Sequence, residues 1–121
     1  MTKVLIVDDY VFWHKQIRLE LKGKPITLIP ARSMAQALRR LNENPDIEVI
    51  AVDDCIDSQN PNTLDFVRKV KKTFKGTMIA FTSNCNNGSL LIEAGCKFQV
   101  IKSRLAETLL EILCPLEVST R

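Results

Sequence analysis

Histidine, closely spaced cysteines and long apolar runs are all scarce in this sequence, and each scarcity excludes a class of protein. His14 is the single histidine, and the four cysteines include no Cys-x-x-Cys pair, so a zinc site is not expected. With 121 residues, the chain is long enough to fold around a hydrophobic core without metal or disulfide bonds. Four glycines and five prolines are too few for a disordered or collagen-like chain. No apolar run approaches the roughly 20 residues that span a bilayer.

The charge balance is nearly even, and the chain starts without a recognisable export signal. A formal net charge of +3 is too small by itself to indicate nucleic-acid binding. The basic run at 68–75 lies on a predicted helix, where such runs are typical of a solvated face. The apolar run at 4–7 is followed by two aspartates and is too short for the core of a signal peptide. We therefore expect a cytoplasmic protein with neither a membrane nor a nucleic acid as partner.

Apolar runs alternate with helical patterns along the whole chain, and the sequence has no internal repeat. Strands are predicted for the short apolar runs at 3–8, 26–29, 47–52, 78–81 and 98–101. Helices are predicted where apolar residues recur every three or four positions, at 12–22, 33–44, 63–74, 89–94 and from 103 to Pro115. Strands that are apolar on both faces are typical of a parallel sheet covered by helices. The pattern predicts a single α/β domain over 1–121, a doubly wound five-stranded parallel sheet with a core of about 3–113 and a short tail at 114–121.

Several residues have expected positions at the ends and faces of these elements. Pro30 is expected to end the second strand, and Ser33 and Ser103 are expected to cap the second and last helices. Trp13 falls on the apolar stripe of the first helix and is expected to pack on the core. His14 lies off that stripe, so the pattern predicts that it is exposed.

Charged and hydroxyl side chains follow four of the five strands, at the edge where doubly wound sheets bind ligands. In chain order they are Asp8 and Asp9, then Asp53 and Asp54 with Asp57 nearby, then Thr82 and Ser83, and last Lys102. Carboxylates on neighbouring strand ends repel one another unless one is protonated or a cation lies among them. Since the offered ligands are oxygens, a hard divalent cation such as Mg²⁺ fits. The hydroxyl, the ammonium and the helix-start amides suit a phosphoryl group, and a carboxylate can be the nucleophile that accepts it.

The sequence resembles the response-regulator receiver domains of bacterial two-component signalling. The resemblance rests on four segments in order, Lys3–Asp9, Pro45–Asp53, Ala80–Ser83 and Gly95–Lys102, and on Ala31–Leu38, which is similar to the second helix of the family. It covers residues from about 3 to about 113. The resemblance implies the flavodoxin-like receiver fold with strand order 2-1-3-4-5, which brings the first and third strands together.

The resemblance also implies a role for each residue at the strand ends. Asp53 corresponds to the aspartate that accepts a phosphoryl group from a sensor histidine kinase or a histidine phosphotransfer protein. The other positions correspond to Mg²⁺ ligands and phosphoryl-binding groups: Asp9 as a direct ligand, Asp8 as a ligand through water, the backbone carbonyl of Cys55 as the third protein ligand, the Thr82 hydroxyl on a phosphoryl oxygen and Lys102 paired with it. The implied protein is a switch that presents a surface to a downstream protein, and it is not a conventional enzyme.

The chain departs from the family pattern at positions that concern output. Gln99 stands where an aromatic residue is common, Ser103 replaces a common proline, and the loop after Asp53 is longer than usual. These departures leave an alternative open, a pseudo-receiver that binds proteins independently of phosphorylation. Two other functions fit less well. A phosphatase of the haloacid-dehalogenase type needs a second carboxylate where Cys55 stands, and a flavodoxin needs a glycine- and hydroxyl-rich loop after the first strand.

Overall fold

The computed structural model of the chain describes residues 1–53, 63–82 and 88–114. The five strands are β1 (Thr2–Val7), β2 (Ile26–Ala31), β3 (Ile47–Val52), β4 (Thr77–Thr82) and β5 (Phe98–Ile101). The helices are α1 (Val11–Glu20), α2 (Met34–Glu43), α3 (Leu64–Lys71), α4 (Gly88–Ala94) and α5 (Leu105–Leu113), and a 3₁₀ turn at Lys102–Arg104 precedes α5. Within the described ranges, no helix is long and apolar enough to cross a membrane. Cys96 and Cys114 are free thiols.

The sheet has the strand order β2-β1-β3-β4-β5, and every neighbouring pair is parallel. This confirms the predicted fold class and the implied strand order. Because β1 lies between β2 and β3, Val7 at the end of β1 is paired with Val52 at the end of β3. The residues that follow these two strands are therefore neighbours at one edge of the sheet.

Helices cover both faces of the sheet, which explains why its central strands are apolar on both sides. Side chains alternate between the faces along a strand. Leu5 and Val7 join a core with α2, α3 and α4, whereas Val4 and Ile6 join a second core with α1 and α5. All four side chains are buried. The central strands are thus rigid supports for whatever follows their carboxyl ends.

The second strand continues through Pro30 to Ala31, so the prediction that Pro30 ends it is wrong. Pro30 is paired with Ile6 in the ladder, although it has no N–H to donate. β2 is an edge strand, and the carbonyl of Pro30 accepts from Arg40 Nε at 3.4 Å, on the side away from β1. A proline whose polar groups face away from the sheet costs no ladder hydrogen bond.

The two predicted serine caps have different outcomes. Ser33 caps α2 as predicted, since its hydroxyl accepts from the N–H of Gln36 at 3.0 Å. Ser103 lies within the 3₁₀ turn, and α5 begins after Arg104 without a side-chain cap, so that prediction is wrong. The turn starts at Lys102, whose side chain is buried, and the N-cap position of α5 is Arg104, one residue later than predicted.

Candidate functional site

Two aspartates follow the central strands at the carboxyl edge of the sheet, and both are tied to it by their backbones. The N–H of Asp8 donates to the carbonyl of Ala31 at 3.0 Å, and the N–H of Asp53 donates to the carbonyl of Val7 at 3.0 Å. Asp8 is 0% exposed and Asp53 is 6% exposed. Aspartate is rarely buried without a partner, so the sheet places two carboxylates where each requires a compensating charge.

Asp9 joins these two residues in an acidic cluster. One carboxylate oxygen from each of Asp8, Asp9 and Asp53 lies within 4.8 Å of the other two. Asp9 is half-buried, whereas the other two are buried. The structure therefore brings together three of the five carboxylates that the sequence predicted at this edge, and the other two, Asp54 and Asp57, lie outside the described residues.

Lys102 inserts its ammonium group between the two buried carboxylates. Its Nζ donates to Asp8 Oδ2 at 2.8 Å and to Asp53 Oδ2 at 2.9 Å. Burial by itself would lower the pKa of Lys102, but the hydrogen bonds and charges of Asp8 and Asp53 outweigh burial and raise it above the ordinary lysine value. Lys102 is therefore a permanent cation at neutral pH.

Among the four side chains of this cluster, formal negative charge exceeds formal positive charge. Three carboxylates face one ammonium group, which leaves two formal negative charges. A divalent cation would neutralise this excess, and carboxylate oxygens are the ligands that Mg²⁺ and Ca²⁺ prefer. The donor set therefore fits a hard divalent ion. Cys55, whose carbonyl is the implied further ligand, lies outside the described residues.

Aromatic rings flank the ammonium group of Lys102. Its Nζ lies 5.4 Å from the ring centroid of Phe81 and 6.0 Å from that of Trp13, within the range of a cation–π contact. Trp13 is half-buried and packs against the core beneath α1, as the sequence predicted. The single tryptophan of the chain consequently lies beside the charged site.

His14 is buried, which corrects the prediction that it is exposed. It is 8% exposed, and its Nε2 lies 2.7 Å from the backbone carbonyl oxygen of Asp8. The buried face of the helix is formed by His14, Ile17 and Leu21, so Trp13 lies at the margin of that face and His14 within it. The position of His14 off the apolar stripe suggested exposure, but a histidine with a buried hydrogen-bond partner is compatible with the core.

Thr63 is a site residue that the sequence did not reveal. It is 0% exposed, and its hydroxyl donates to the backbone carbonyl of Asp53 at 2.7 Å. In the sequence it is simply a threonine before a helix, which suggests an N-cap. Thr63 does occupy the N-cap position of α3, but its side chain makes no cap hydrogen bond.

The other predicted residues lie at or near the same edge. Thr82 ends β4 and is 1% exposed. Gln99 is half-buried on β5, and Ser103 is exposed in the 3₁₀ turn. Asp54 and Ser83 lie outside the described residues, so their contribution to the site stays a prediction.

Comparison with known proteins identifies this architecture. No protein-family model and no curated protein sequence match the chain. Among solved structures, a two-component response regulator from Clostridium difficile is 17% identical, with a TM-score of 0.81 over 100% of this chain and 99% of that one. The Vibrio cholerae chemotaxis protein CheY4 is 22% identical, with a TM-score of 0.76 over 93% of this chain and 96% of that one.

A third neighbour is a response regulator from Burkholderia pseudomallei, whose crystal structure holds a phosphorylated aspartate, a calcium ion and citrate. It is 16% identical, with a TM-score of 0.78 over 99% of this chain and 72% of that one. At these identities the similarity establishes the fold and nothing finer. With its strand order and its acidic edge, the chain has the fold of the response-regulator receiver domains.

Proposed function

We propose that this protein is a phospho-accepting receiver domain, in which Asp53 takes a phosphoryl group with the help of Mg²⁺. The observation that carries the proposal is the cluster of Asp8, Asp9 and Asp53, bridged by the Lys102 ammonium at the carboxyl edge of the sheet. A structural neighbour with a phosphorylated aspartate and a calcium ion supports the same chemistry. The whole chain serves as the receiver unit, and its proposed location is the cytoplasm.

The residues that would hold the metal are Asp8, Asp9 and Asp53, with the backbone carbonyl of Cys55. Two excess negative charges and an all-oxygen donor set support Mg²⁺ in this position. When bound, the ion supplies positive charge that offsets the charge on the oxygens of the transferring phosphoryl group.

The side chains of the site have separate tasks in the transfer. A carboxylate oxygen of Asp53 attacks phosphorus, and the bond from phosphorus to the donor breaks, with its electron pair leaving on the donor. The donor atom is an imidazole nitrogen in a phosphohistidine. Lys102 pairs with the phosphoryl oxygens, and the buried hydroxyl of Thr82 donates a hydrogen bond to one of them. Neither Lys102 nor Thr82 forms a covalent bond in this step.

Phosphorylation changes the charge at a buried position, and this change drives the switch. The Asp53 carboxylate is replaced by a group with about two negative charges and more acceptor oxygens. Lys102 and Thr82 are drawn toward these oxygens, which biases a surface that binds a downstream protein. The partners are a sensor histidine kinase or a histidine phosphotransfer protein as donor, and a protein target. Each molecule takes up one phosphoryl group and loses it slowly to water, so the protein is not a conventional enzyme.

The test is labelling of the purified chain by acetyl phosphate and Mg²⁺, followed by intact-protein mass spectrometry. We expect Asp53→Asn to abolish the added phosphoryl mass, because the amide is not a nucleophile. Asp65→Asn is the matched control, since this aspartate lies on the exposed face of α3 and its side chain is 99% exposed. Undiminished labelling of Asp53→Asn would refute the acceptor assignment.

The pseudo-receiver alternative predicts a different result from the same samples. If neither acetyl phosphate nor a panel of phosphorylated donor proteins labels the chain, the proposed phosphotransfer is wrong. A second readout is the fluorescence of Trp13, whose ring lies near Lys102. Beryllofluoride with Mg²⁺, a phosphoryl mimic, changes this fluorescence if the site binds phosphoryl groups and leaves it constant in a pseudo-receiver.

A further inference from the structure

The two buried aspartates share an arrangement that extends beyond their carboxylates. Each has its backbone N–H bonded to a neighbouring strand, at 3.0 Å in both cases. Each also has its backbone carbonyl bonded to a buried side chain that lies in or just before the next helix, His14 for Asp8 and Thr63 for Asp53, at 2.7 Å in both cases. The backbone of each aspartate is thus fixed on both sides of its Cα atom.

The chemistry of these two contacts defines which group donates. A peptide carbonyl is only an acceptor, so the hydrogen must lie on His14 Nε2 and on the hydroxyl of Thr63. His14 is therefore held in one tautomer when neutral, with Nε2 protonated. Both donors are buried, where an unpaired polar group is costly. Their positions depend on contacts with carbonyls at the acidic edge.

Two further hydrogen bonds hold the side chain of Asp8 in place. Its Oδ1 accepts from the N–H of Tyr10 at 2.9 Å, and its Oδ2 accepts from Lys102 at 2.8 Å. The backbone bonds to Ala31 and His14 therefore fix the Cα position, while the side-chain bonds fix the rotamer. When the backbone N–H, the backbone carbonyl and both carboxylate oxygens of an aspartate are hydrogen-bonded, its carboxylate has little freedom to change its distance from a metal or a phosphoryl group.

We propose that His14 and Thr63 are positioning residues that set the spacing of the Asp8 and Asp53 carboxylates for metal binding and phosphoryl transfer. This inference rests on the proposed function. Neither residue contacts the reacting atoms, because both act through the backbone carbonyl of an aspartate. The N-cap position of Thr63 supports this role, since its side chain makes no bond that caps α3.

The experiment compares variants that remove each donor with variants that keep it. Thr63→Val keeps the shape of threonine and removes the hydroxyl, whereas Thr63→Ser keeps the hydroxyl. His14→Leu removes the ring, whereas His14→Gln keeps an N–H at a similar reach. We expect Thr63→Val and His14→Leu each to weaken Mg²⁺ affinity and slow acetyl phosphate labelling about tenfold, as removal of outer-shell partners of metal ligands does. Serine and glutamine should recover most of both properties.

A stability control separates positioning from general destabilisation. Val70→Ala removes buried volume on α3, the same helix that Thr63 precedes, and it is far along the chain from Asp53. It should lower the melting temperature and leave Mg²⁺ affinity unchanged. Should Thr63→Val fail to fold, Thr63→Ala against Thr63→Ser makes the same comparison. The ¹⁵N spectrum of the single histidine in the metal-free protein should show Nε2 protonated, and the opposite tautomer would overturn the role of His14.

Failure of this inference and failure of the proposed function give different results. If wild type is labelled and Thr63→Val and His14→Leu bind Mg²⁺ and are labelled at the wild-type rate, the positioning role is wrong and Asp53 remains the acceptor. If wild type is never labelled but both variants bind Mg²⁺ about tenfold more weakly, the positioning role holds and phosphotransfer is wrong.

Discussion

Two lysines tie neighbouring strands together at opposite ends of the sheet, and their hydrogen-bond distances are nearly the same. At the carboxyl edge, Lys102 Nζ lies 2.8 Å from Asp8 and 2.9 Å from Asp53. At the amino edge, Lys3 Nζ lies 2.9 Å from Asp46, which precedes β3. The side chains of the Lys102–Asp8 pair are 5% and 0% exposed, whereas those of the Lys3–Asp46 pair are 32% and 63% exposed.

The difference in burial determines what each contact does. Water solvates Lys3 and Asp46 whether or not they meet, so little depends on their pairing. Lys102 and its two carboxylates have given up most of their water, and loss of one partner leaves a buried charge uncompensated. The amino edge is therefore a tolerant surface, and the carboxyl edge is a site where charge balance controls stability and chemistry together.

The largest effect is expected from Lys102→Met, which removes the ammonium group that bridges Asp8 and Asp53. We expect the free energy of unfolding to fall by about 4 kcal/mol in EDTA at pH 7, because breaking a buried ion pair leaves unpaired charge. Denaturant titration followed by circular dichroism measures the loss. Mg²⁺ should stabilise the variant more than it stabilises wild type, because the variant has one more uncompensated negative charge in the cluster.

One result would contradict this explanation. Equal stability of the two proteins in EDTA at pH 7 would show that the Lys102 ammonium does not compensate the acidic cluster.

The second effect comes from the strand that joins the two edges. Leu5 lies in the middle of β1 and is 0% exposed. Leu5→Ala should cost about 3 kcal/mol of unfolding free energy, the range for a buried leucine that leaves a cavity. The difference in unfolding free energy between Leu5→Ala and wild type should be the same in EDTA and in Mg²⁺, whereas the difference for Lys102→Met should be smaller in Mg²⁺. A preferential rescue of Leu5→Ala by Mg²⁺ would mean that the cluster responds to core packing in general.

Much of the contrast between the two edges could be predicted, because polar residues mark the ends of the apolar runs in the sequence. Apolar runs that stop at Asp8, Asp53, Thr82 and Lys102 place all four at one edge once the sheet is parallel. Ser33 was likewise predictable, since its cap depends on neighbours three residues away. Local patterns of this kind depend little on tertiary structure.

The wrong or missing predictions concern residues whose roles depend on contacts outside their own helix or turn. Thr63 bonds to Asp53 across ten residues, and no local pattern distinguishes this from an ordinary cap. The prediction that Ser103 caps the last helix is wrong, and the 3₁₀ turn found there begins at Lys102, whose ammonium group binds Asp8, 94 residues away. His14 shares its helix face with Ile17, and its hydrogen bond to the backbone carbonyl of Asp8 offsets the cost of burying a polar ring.

The smallest effect is expected at the amino edge, from Asp46→Asn. Asparagine can still accept a hydrogen bond from Lys3, so the substitution removes the charge alone. The hydrogen bond from Lys3 lowers the pKa of Asp46 below its ordinary value. A lowered folded-state pKa stabilises the protein above the ordinary carboxyl pKa, and this contribution disappears as the pH falls through the folded-state value. The variant should therefore melt slightly below wild type at pH 7 and together with it in strong acid.

Salt provides the control for Asp46→Asn. Exposed charges are screened by salt, whereas buried ones are screened much less. The small difference in melting temperature should shrink at 1 M NaCl, a concentration at which the Debye length is only about 3 Å, while the loss in Lys102→Met should persist. A loss in Asp46→Asn as large as that in Lys102→Met would contradict the inference that burial, and not distance, separates the two edges of the sheet.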